Sequence, residues 1–280
     1  MRAGGAGIGG SGHASRAEEK IKERDSRGGR GALSVIGIGP GSLRDMTVRA
    51  REAVEKSDTV VGYSTYIRLA KTLLKDKEVI STGMTTEVER CREAIRLAAE
   101  GRVVALISSG DPGIYGMAGL VLELLGVESR SETALPFDLE IIPGVPAVCS
   151  AAASLGAPLM HDFAVISLSD LLTPWVLIEK RLGLAAEGDF VISLYNPRSK
   201  GRPENLARAL EIVRLHRDGA TPVGVVKDSA REGERITVTT LKDIPVEDVD
   251  MTTIIIIGNS KSFSFMDYIV TPRGYKGKRI

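Results

Sequence analysis

The sequence predicts an α/β protein of two lobes, the first built on a parallel sheet and the second on a mixed sheet. From Leu33 onward, short β-rich runs alternate with segments of helical period, which is typical of parallel α/β folds. Two strands late in the chain lie too close together for a helical crossover, so we expect an antiparallel pair there. The length of 280 residues suits two domains of about 120 residues each.

Composition is that of an ordinary globular protein. Hydrophobic residues make up 43% and charged residues 26%, and the formal charge is +1, so no bulk field attracts nucleic acid or a membrane surface. Two cysteines and three histidines are too few for a disulfide framework or a metal cluster, so we expect no metal site and a reduced, cytoplasmic location. The longest apolar runs, such as Ile254 to Ile257, are far shorter than the roughly 20 residues that span a membrane.

Residues 1–32 differ from the rest of the chain. They hold nine of its 31 glycines and mix both signs of charge without an apolar stripe, a pattern that predicts a disordered tail. The start lacks the apolar core of a secretory signal, and the acidic Glu18, Glu19 and Glu23 argue against a transit peptide.

The first lobe is predicted over residues 33–157. Its expected strands are Leu33 to Ile38, Thr59 to Val61, Val79 to Ser81, Val103 to Ser108 and Leu139 to Ile142. Val88, Cys91, Ile95 and Ala98 recur at helical spacing, which puts one apolar face of a helix on the sheet and predicts that Cys91 is buried.

The second lobe is predicted over residues 158–280, with a boundary at Ala157-Pro158. Its expected strands are Phe163 to Leu168, Phe190 to Leu194, Val223 to Val226, Ile236 to Thr239 and Thr253 to Ile257, and its expected long helices are Trp175 to Ala186 and Pro203 to Arg217. Folds with two such lobes usually bind a ligand in the cleft between them, at the carboxyl ends of the strands.

The loop Gly37-Ile38-Gly39-Pro40-Gly41 follows the first strand. It does not complete the dinucleotide fingerprint, because position 42 is serine and Asp58 precedes the second strand instead of following it. No lysine and hydroxyl pair closes it as in phosphate-loop NTPases. What remains is that Gly39 and Gly41 allow a ligand to approach the backbone, while Pro40 stiffens the turn.

Two further loops rich in glycine and proline follow strands, Ser108 to Gly116 and Ile142 to Ala147. Such loops expose backbone amides and carbonyls that can bind a ligand without side chains. Asp111 either accepts hydrogen bonds from a ribose or an ammonium group or caps the helix that follows. Cys149, among small residues after the third loop, is expected to be a packing residue.

A basic turn follows a strand in the second lobe, where residues 193–203 read Ser-Leu-Tyr-Asn-Pro-Arg-Ser-Lys-Gly-Arg-Pro. Arg198, Lys200 and Arg202 supply donors suited to anionic groups. The turn therefore predicts a polyanionic substrate, with a solvated surface loop as the alternative.

The three loops in this order, followed by Leu-Tyr-Asn-Pro after a strand, resemble the tetrapyrrole methylases, which use S-adenosylmethionine. The resemblance covers Leu33 to about Tyr275. Further segments are similar to the precorrin-3B methyltransferases of cobalamin biosynthesis, which methylate carbon 17 of the macrocycle and contract the ring. These segments are Val61 to Tyr66, Gly156 to Phe163, Ser167 to Trp175, Tyr195 to Pro203 and Thr271 to Tyr275.

The resemblance implies a small tetrapyrrole substrate, a homodimer and S-adenosylmethionine as cosubstrate. The implied cosubstrate-binding residues are Pro40, Ser109, Gly110, Asp111, Ile114, Pro146, Ala147, Asn196 and Ser229. Relatives commonly have a hydroxyl residue in place of Pro146 and a methionine in place of Asn196, so backbone contacts are expected at both positions.

Corrin precursors carry many carboxylates, and the residues expected to bind them are Arg198, Lys200, Arg202 and Arg273, with Arg231 and Arg235 as weaker candidates. Gly39, Gly41 and Tyr63 are expected to border the substrate, with packing beneath the sheet as the alternative for Tyr63. Ring contraction needs a positioned acid or hydrogen-bond donor. Thr85, Thr86 and His161 are the candidates, with a helix cap at either threonine and a structural His161–Asp162 pair as the alternatives.

Two other classes of function share parts of this pattern. One is a methyltransferase of the same fold that acts on RNA or on a protein histidine, but 4% aromatic residues and a near-zero charge favour no nucleic-acid partner. The other is a module that binds an adenosine compound without turnover, which has no need of a basic turn beside its ligand. The sequence does not distinguish a cobalt-containing substrate from a metal-free one.

Overall fold

The computed structural model describes residues 29–83, 86–128, 134–199 and 201–275. They form two compact units, the first consisting of the residues through Ile38 together with Met46–Gly144, and the second of Gly39–Asp45 together with Val145–Ile280. Within these described ranges, no helix combines the length and the apolar composition needed to cross a membrane.

The first unit is built on a parallel sheet, as predicted. Its strands are β1 (Gly31–Gly37), β2 (Thr59–Tyr63), β3 (Glu78–Thr82), β4 (Val103–Ser108) and β5 (Phe137–Ile142). They pair in the order β3-β2-β4-β1-β5, and every pairing is parallel. The helices are α1 (Val48–Lys56), α2 (Ser64–Leu69), α3 (Glu87–Ala99) and α4 (Met117–Glu128), with a 3-10 turn at Lys71–Leu73.

Helices α3 and α4 cover one face of this sheet. Cys91, Ile95 and Ala98 of α3 are buried with strand residues such as Leu33 and Leu106, which confirms the predicted apolar stripe, although Val88 in the first turn is 36% exposed. Burial raises the pKa of the Cys91 thiol to about 11. Cys91 is therefore a neutral packing residue.

The second unit is built on a mixed sheet. Its strands are β6 (Gly156–Ala157), β7 (Phe163–Ser167), β8 (Val191–Tyr195), β9 (Pro222–Lys227), β10 (Arg235–Thr240), β11 (Thr253–Ile257), β12 (Phe263–Phe265) and β13 (Tyr268–Val270). The main sheet has the order β10-β9-β11-β8-β7; β7 and β8 are parallel, whereas β9 and β10 form the predicted antiparallel pair. The helices are α5 (Ala147–Leu155), α6 (Trp175–Glu187) and α7 (Asn205–Arg214), with 3-10 turns at Leu43–Asp45 and Val246–Asp248.

Helices α6 and α7 cover one face of the mixed sheet, and α5 covers the other. Val148, Ala151 and Leu155 of α5 are buried against β8, β9 and β11, and a Cβ added to Gly224 would overlap Leu155. This packing explains why the second unit begins at Val145, before α5, while the sequence analysis placed the boundary at Ala157-Pro158. Cys149 is exposed, so its prediction as a packing residue was wrong.

Strands β12, β13 and β6, in this order, form a small separate sheet that was not predicted from the sequence. Strands β12 and β13 have three residues each, and the connection between them is Met266-Asp267, with Met266 at a φ of 53°. A two-residue hairpin loop usually shows Asn-Gly or Asp-Gly. The usual sequence signal for the hairpin is therefore missing.

The carboxyl ends of β1, β4 and β5 bring the three predicted loops together, because these strands are neighbours. A Cβ added to Gly144 would overlap Gly110 O and lie 2.6 Å from Gly37 O, and one added to Gly37 would lie 2.5 Å from Gly110 O. Backbone packs directly on backbone at this edge. Only glycine fits these positions without moving the loops.

We expect Gly144→Ala to lower the free energy of unfolding by about 1 to 3 kcal/mol, because the added methyl group overpacks a site bounded by backbone. The matched control is Gly119→Ala in α4, where an added Cβ meets nothing within 4 Å and alanine should stabilise the helix by about 0.5 to 1 kcal/mol. Chemical denaturation measures both. Equal effects of the two substitutions would contradict the packing described here.

Candidate active site

Asp111 connects two of the loops at the edge of the first sheet. Its Oδ1 accepts a hydrogen bond from Gly113 N at 2.8 Å, and its Oδ2 accepts one from Gly144 N at 3.2 Å. Both carboxylate oxygens thus accept hydrogen bonds from backbone N–H groups of loops, and neither of these two bonds caps α4. This loop contains four predicted cosubstrate positions, Ser109, Gly110, Asp111 and Ile114, and Gly110 has the left-handed φ of 66°. The arrangement presents a fixed backbone to a ligand.

Tyr63, at the carboxyl end of β2, belongs to a polar cluster that Arg90 organises. The Tyr63 and Tyr66 rings meet edge to face with centroids 5.2 Å apart, and the Arg90 guanidinium lies 5.9 Å from the Tyr63 centroid. Arg90 is only 3% exposed and donates to Thr82 Oγ1 and Gly83 O, both at 2.6 Å. Arg90 therefore fixes the segment after β3.

Sequence reasoning missed Arg90. Its signal was its position four residues before Ala94 and seven before Leu97, both buried on α3, which places an arginine on a buried helix face.

Thr86 precedes α3, and Thr85 lies outside the described residues. The Thr86 hydroxyl donates to Gly83 O at 3.0 Å and makes no capping hydrogen bond with α3. Thr86 thus occupies the N-cap position, but its side chain supports the preceding turn.

In the second unit, Tyr195 joins the end of β8 to the start of α5. Its hydroxyl accepts a hydrogen bond from Val148 N at 2.9 Å, which brings Asn196 into the neighbourhood of Pro146 and Ala147. Asn196 has a φ of 50°, a conformation that asparagine tolerates better than most residues, and its Nδ2 donates to Ser167 Oγ at 2.9 Å. The side chain is thus engaged, which leaves the backbone for a ligand.

Ser229 lies in a turn that follows β9 and packs on α5. Its hydroxyl is 2.7 Å from Ser150 Oγ, and the residue is buried. Glu234 closes the turn, because its Oε1 accepts hydrogen bonds from Ala230 N and Ser154 Oγ, both at 3.1 Å. Because Ser229 is buried, the ligand contact expected there falls to the backbone of the turn.

Arg231, from the same turn, holds the Gly39-Pro40-Gly41 segment within the second unit. Its Nε donates to Pro40 O at 2.9 Å, and a Cβ on Gly41 would overlap the Arg231 side chain. Gly41 therefore makes room for Arg231, whereas the sequence analysis expected it to border a substrate. Gly39 has a φ of 77°, which glycine adopts without strain. Four predicted cosubstrate positions, Pro40, Ala147, Asn196 and Ser229, are each fixed by these contacts or adjoin them.

Arg198 is engaged within its own unit. Its Nη1 donates to Val246 O at 3.0 Å and to Glu247 O at 3.3 Å, and its Nη2 lies 2.8 Å from the Glu247 carboxylate. From the sequence, this guanidinium is expected to be available to an anionic ligand. The structure instead uses it to fix the 3-10 turn at Val246–Asp248.

Arg202 has a donor left over. Its Nε donates to Ser199 Oγ at 3.2 Å, and its Nη2 lies 3.7 Å from Met251 Sδ. The side chain is 13% exposed, and Nη1 is buried without a hydrogen-bond partner in the part of the chain that the structure describes. The Asp170 carboxylate is 4.0 Å away. Lys200 lies outside the described residues. Of the two arginines of the basic turn, Arg202 is the one with a donor left for an anionic ligand.

His161 and Arg273 lie near the amino ends of β7 and β8 in the mixed sheet. Asp162 O accepts a hydrogen bond from Val191 N at the amino ends of β7 and β8. Asn196 follows the carboxyl end of β8, and the five residues of this strand span about 16 Å. His161 Nδ1 accepts a hydrogen bond from Asp162 N at 2.9 Å, in line with a structural pair, and Arg273 Nη1 donates to Met160 O at 3.4 Å. The structure therefore does not bring either residue near Asn196.

Comparisons with known proteins identify the family of the chain. Residues 32–245 match the family model Tetrapyrrole (Corrin/Porphyrin) Methylases. A probable cobalt-factor III C(17)-methyltransferase of Salmonella typhimurium is 55% identical over 87% of this chain and 99% of its own length. A precorrin-3B C(17)-methyltransferase of a Sinorhizobium species is 40% identical over 88% and 98%.

Among solved structures, the methyltransferase CobJ superposes with a TM-score of 0.81 at 36% identity, over 86% of this chain and 100% of its own. A uroporphyrin-III C-methyltransferase from Thermus thermophilus, solved with S-adenosyl homocysteine, has a TM-score of 0.60 at 22% identity and shows the same fold. The chain belongs to the tetrapyrrole (corrin/porphyrin) methylase family and is a methyltransferase.

Proposed function

We propose that this methyltransferase uses S-adenosylmethionine to methylate carbon 17 of a cobalamin precursor, either cobalt-factor III or its metal-free counterpart precorrin-3B, and that ring contraction accompanies the transfer. The observation that carries the proposal is the 55% identity with the Salmonella relative over 99% of that relative's length. The Sinorhizobium relative is named for the same ring carbon. A homodimer and a cytoplasmic location, both expected from the sequence, are part of the proposal.

The loops fit S-adenosylmethionine. Gly37 and Gly144 let the three loops pack backbone against backbone where the strands end, and the rest of these glycine- and proline-rich loops offers backbone amides and carbonyls to a ligand. We assign its binding to the backbones of Ser109, Gly110, Asp111 and Ile114 in the first unit, and of Pro40, Pro146, Ala147, Asn196 and Ser229 in the second. When bound, the cosubstrate supplies a methyl group on a sulfonium for in-line displacement by a nucleophilic ring carbon.

The residues of this chain contribute mainly by positioning. Asp111, Tyr195 and Arg231 each fix a loop through hydrogen bonds to backbone atoms. Holding two reactants in alignment can contribute roughly 7 to 11 kcal/mol to lowering a barrier. Transfer to a nucleophilic carbon requires no dedicated base, which suits a site whose titratable side chains are used to hold backbone.

For ring contraction, we retain Thr85 and Thr86 as candidate donors. The Thr86 hydroxyl would have to exchange Gly83 O for a substrate oxygen, and buried Arg90 donates to the same Gly83 oxygen. His161 is less suitable, because it lies at the far edge of the mixed sheet from Asn196.

Binding of the substrate carboxylates is assigned first to Arg202, on account of its unpartnered Nη1. We expect Arg202→Ala to raise KM for the tetrapyrrole about tenfold or more, since a hydrogen bond to a charged group is worth about 1.5 to 3 kcal/mol, while kcat changes little. Arg198→Ala is the matched control, and it should change KM less because its guanidinium holds Val246 and Glu247. Steady-state kinetics at saturating cosubstrate separates the two, and an unchanged KM in Arg202→Ala would remove Arg202 from the substrate site.

The function itself is tested by mass spectrometry of products formed from methyl-labelled S-adenosylmethionine and a trimethylated tetrapyrrole, with and without cobalt. We expect one labelled methyl group on one of the two pools, located at carbon 17 by fragmentation, and the accepting pool identifies the natural substrate. S-adenosyl homocysteine titrated into the same preparation is the control for an intact site. Bound cosubstrate product without transfer to either pool would refute the proposal and direct the search to RNA or protein acceptors.

A further inference from the structure

The second unit contains a cavity of about 360 Å³ at the amino ends of β7 and β8, within the range of roughly 300 to 1,000 Å³ typical of small-molecule sites. Its lining includes His161, Phe190, Asn259, Lys261, Pro272 and Arg273. The candidate active site uses the opposite ends of the same strands, where Ser167 and Asn196 lie. The cavity is therefore separate from the part of the candidate active site that contains Ser167 and Asn196.

Asn259 places an amide hydrogen-bond donor at this cavity. The residue is 5% exposed, and its Oδ1 accepts hydrogen bonds from Lys261 N at 3.0 Å and Ser262 Oγ at 3.2 Å. These two donors fix which end of the amide is oxygen. Within the described residues, Nδ2 donates to no protein atom. The Nδ2 hydrogens are therefore available to an acceptor atom of a ligand in the cavity.

The charges around the cavity favour an anion. Lys261 Nζ forms no ion pair or hydrogen bond with the part of the chain that the structure describes, and Arg273 uses a single donor, on Met160 O. The Asp189 carboxylate already has partners, because it accepts hydrogen bonds from Ser260 N at 2.9 Å and Ser260 Oγ at 2.7 Å and pairs with Arg217 at 3.3 Å. The other lining carboxylate, Asp162, is 76% exposed to solvent.

Phe190 and Pro272 add an apolar wall, since the Phe190 side chain is 38% exposed and both residues line the cavity. The wall is fixed on one side, because Asp189, next to Phe190, is held by Ser260 in the left-handed conformation with a φ of 58°. We propose that this cavity is a second ligand site, which binds a small organic anion through its carboxylate or phosphate at Asn259, Lys261 and Arg273 and packs the apolar body of that ligand on Phe190 and Pro272.

Isothermal titration calorimetry with phenyl phosphate, benzoate and inorganic phosphate tests the proposal without depending on methyl transfer. We expect saturable binding of phenyl phosphate or benzoate at one site per chain, and the tighter of the two identifies the head group. Inorganic phosphate should bind more weakly, because it has no apolar body.

Lys261→Ala and Arg273→Ala, both at exposed positions, should each weaken this binding about tenfold. Lys180→Ala, an exposed lysine of α6 outside the cavity, is the matched control and should leave the affinity unchanged. The proposal is overturned if neither aromatic anion binds saturably, if inorganic phosphate binds as tightly as they do, or if the cavity variants bind like the Lys180→Ala control.

Discussion

The direct backbone contact of Gly37, Gly110 and Gly144 is the constraint on which the first unit's candidate site depends. Parallel pairing of β1 with β4 and β5 brings the three loops to one edge, and the absence of side chains lets them touch there. The Asp111 carboxylate then ties the second loop to the third, because it accepts one hydrogen bond from Gly113 N in its own loop and one from Gly144 N in the third. The backbone groups of these loops are held in fixed positions because the loops cannot slide past one another.

The second unit follows the same logic with different residues. The Tyr195 hydroxyl, the Ser150–Ser229 pair and the Arg231 guanidinium are all used to hold loops in place. Asn196, Asp228 and Ala230 have positive φ values, and left-handed backbone at residues other than glycine costs about 1 to 3 kcal/mol each. These strained residues cluster at the carboxyl edge of the mixed sheet, where the proposed cosubstrate contacts also lie. The hydroxyl and guanidinium groups described here thus serve mainly to hold the backbone of the loops in position.

The fold was largely predictable because its strands are apolar runs separated by glycine and proline, and the β9–β10 pair was readable from its short connection. The distance of His161 and Arg273 from the candidate site was harder to predict, although His161 precedes a strand in the sequence and so lies at its amino end. The partners of Arg198 and Arg231 could not be predicted, because Val246 is 48 residues from Arg198 and Pro40 is 191 residues from Arg231. A surface cation and a loop-bracing cation look the same in sequence. Only tertiary packing distinguishes them.

Amide hydrogen exchange with and without saturating S-adenosyl homocysteine tests most directly whether these loops bind the proposed cosubstrate. Ligand contact with the backbone should slow exchange in residues 108–117 and 143–150 of the glycine loops, and in residues 195–199 and 227–234 at the carboxyl edge of the mixed sheet. The strands at the opposite edge, near Asn259, should exchange at unchanged rates. Saturated binding that leaves all four segments unprotected would contradict the assignment of the site to these loops.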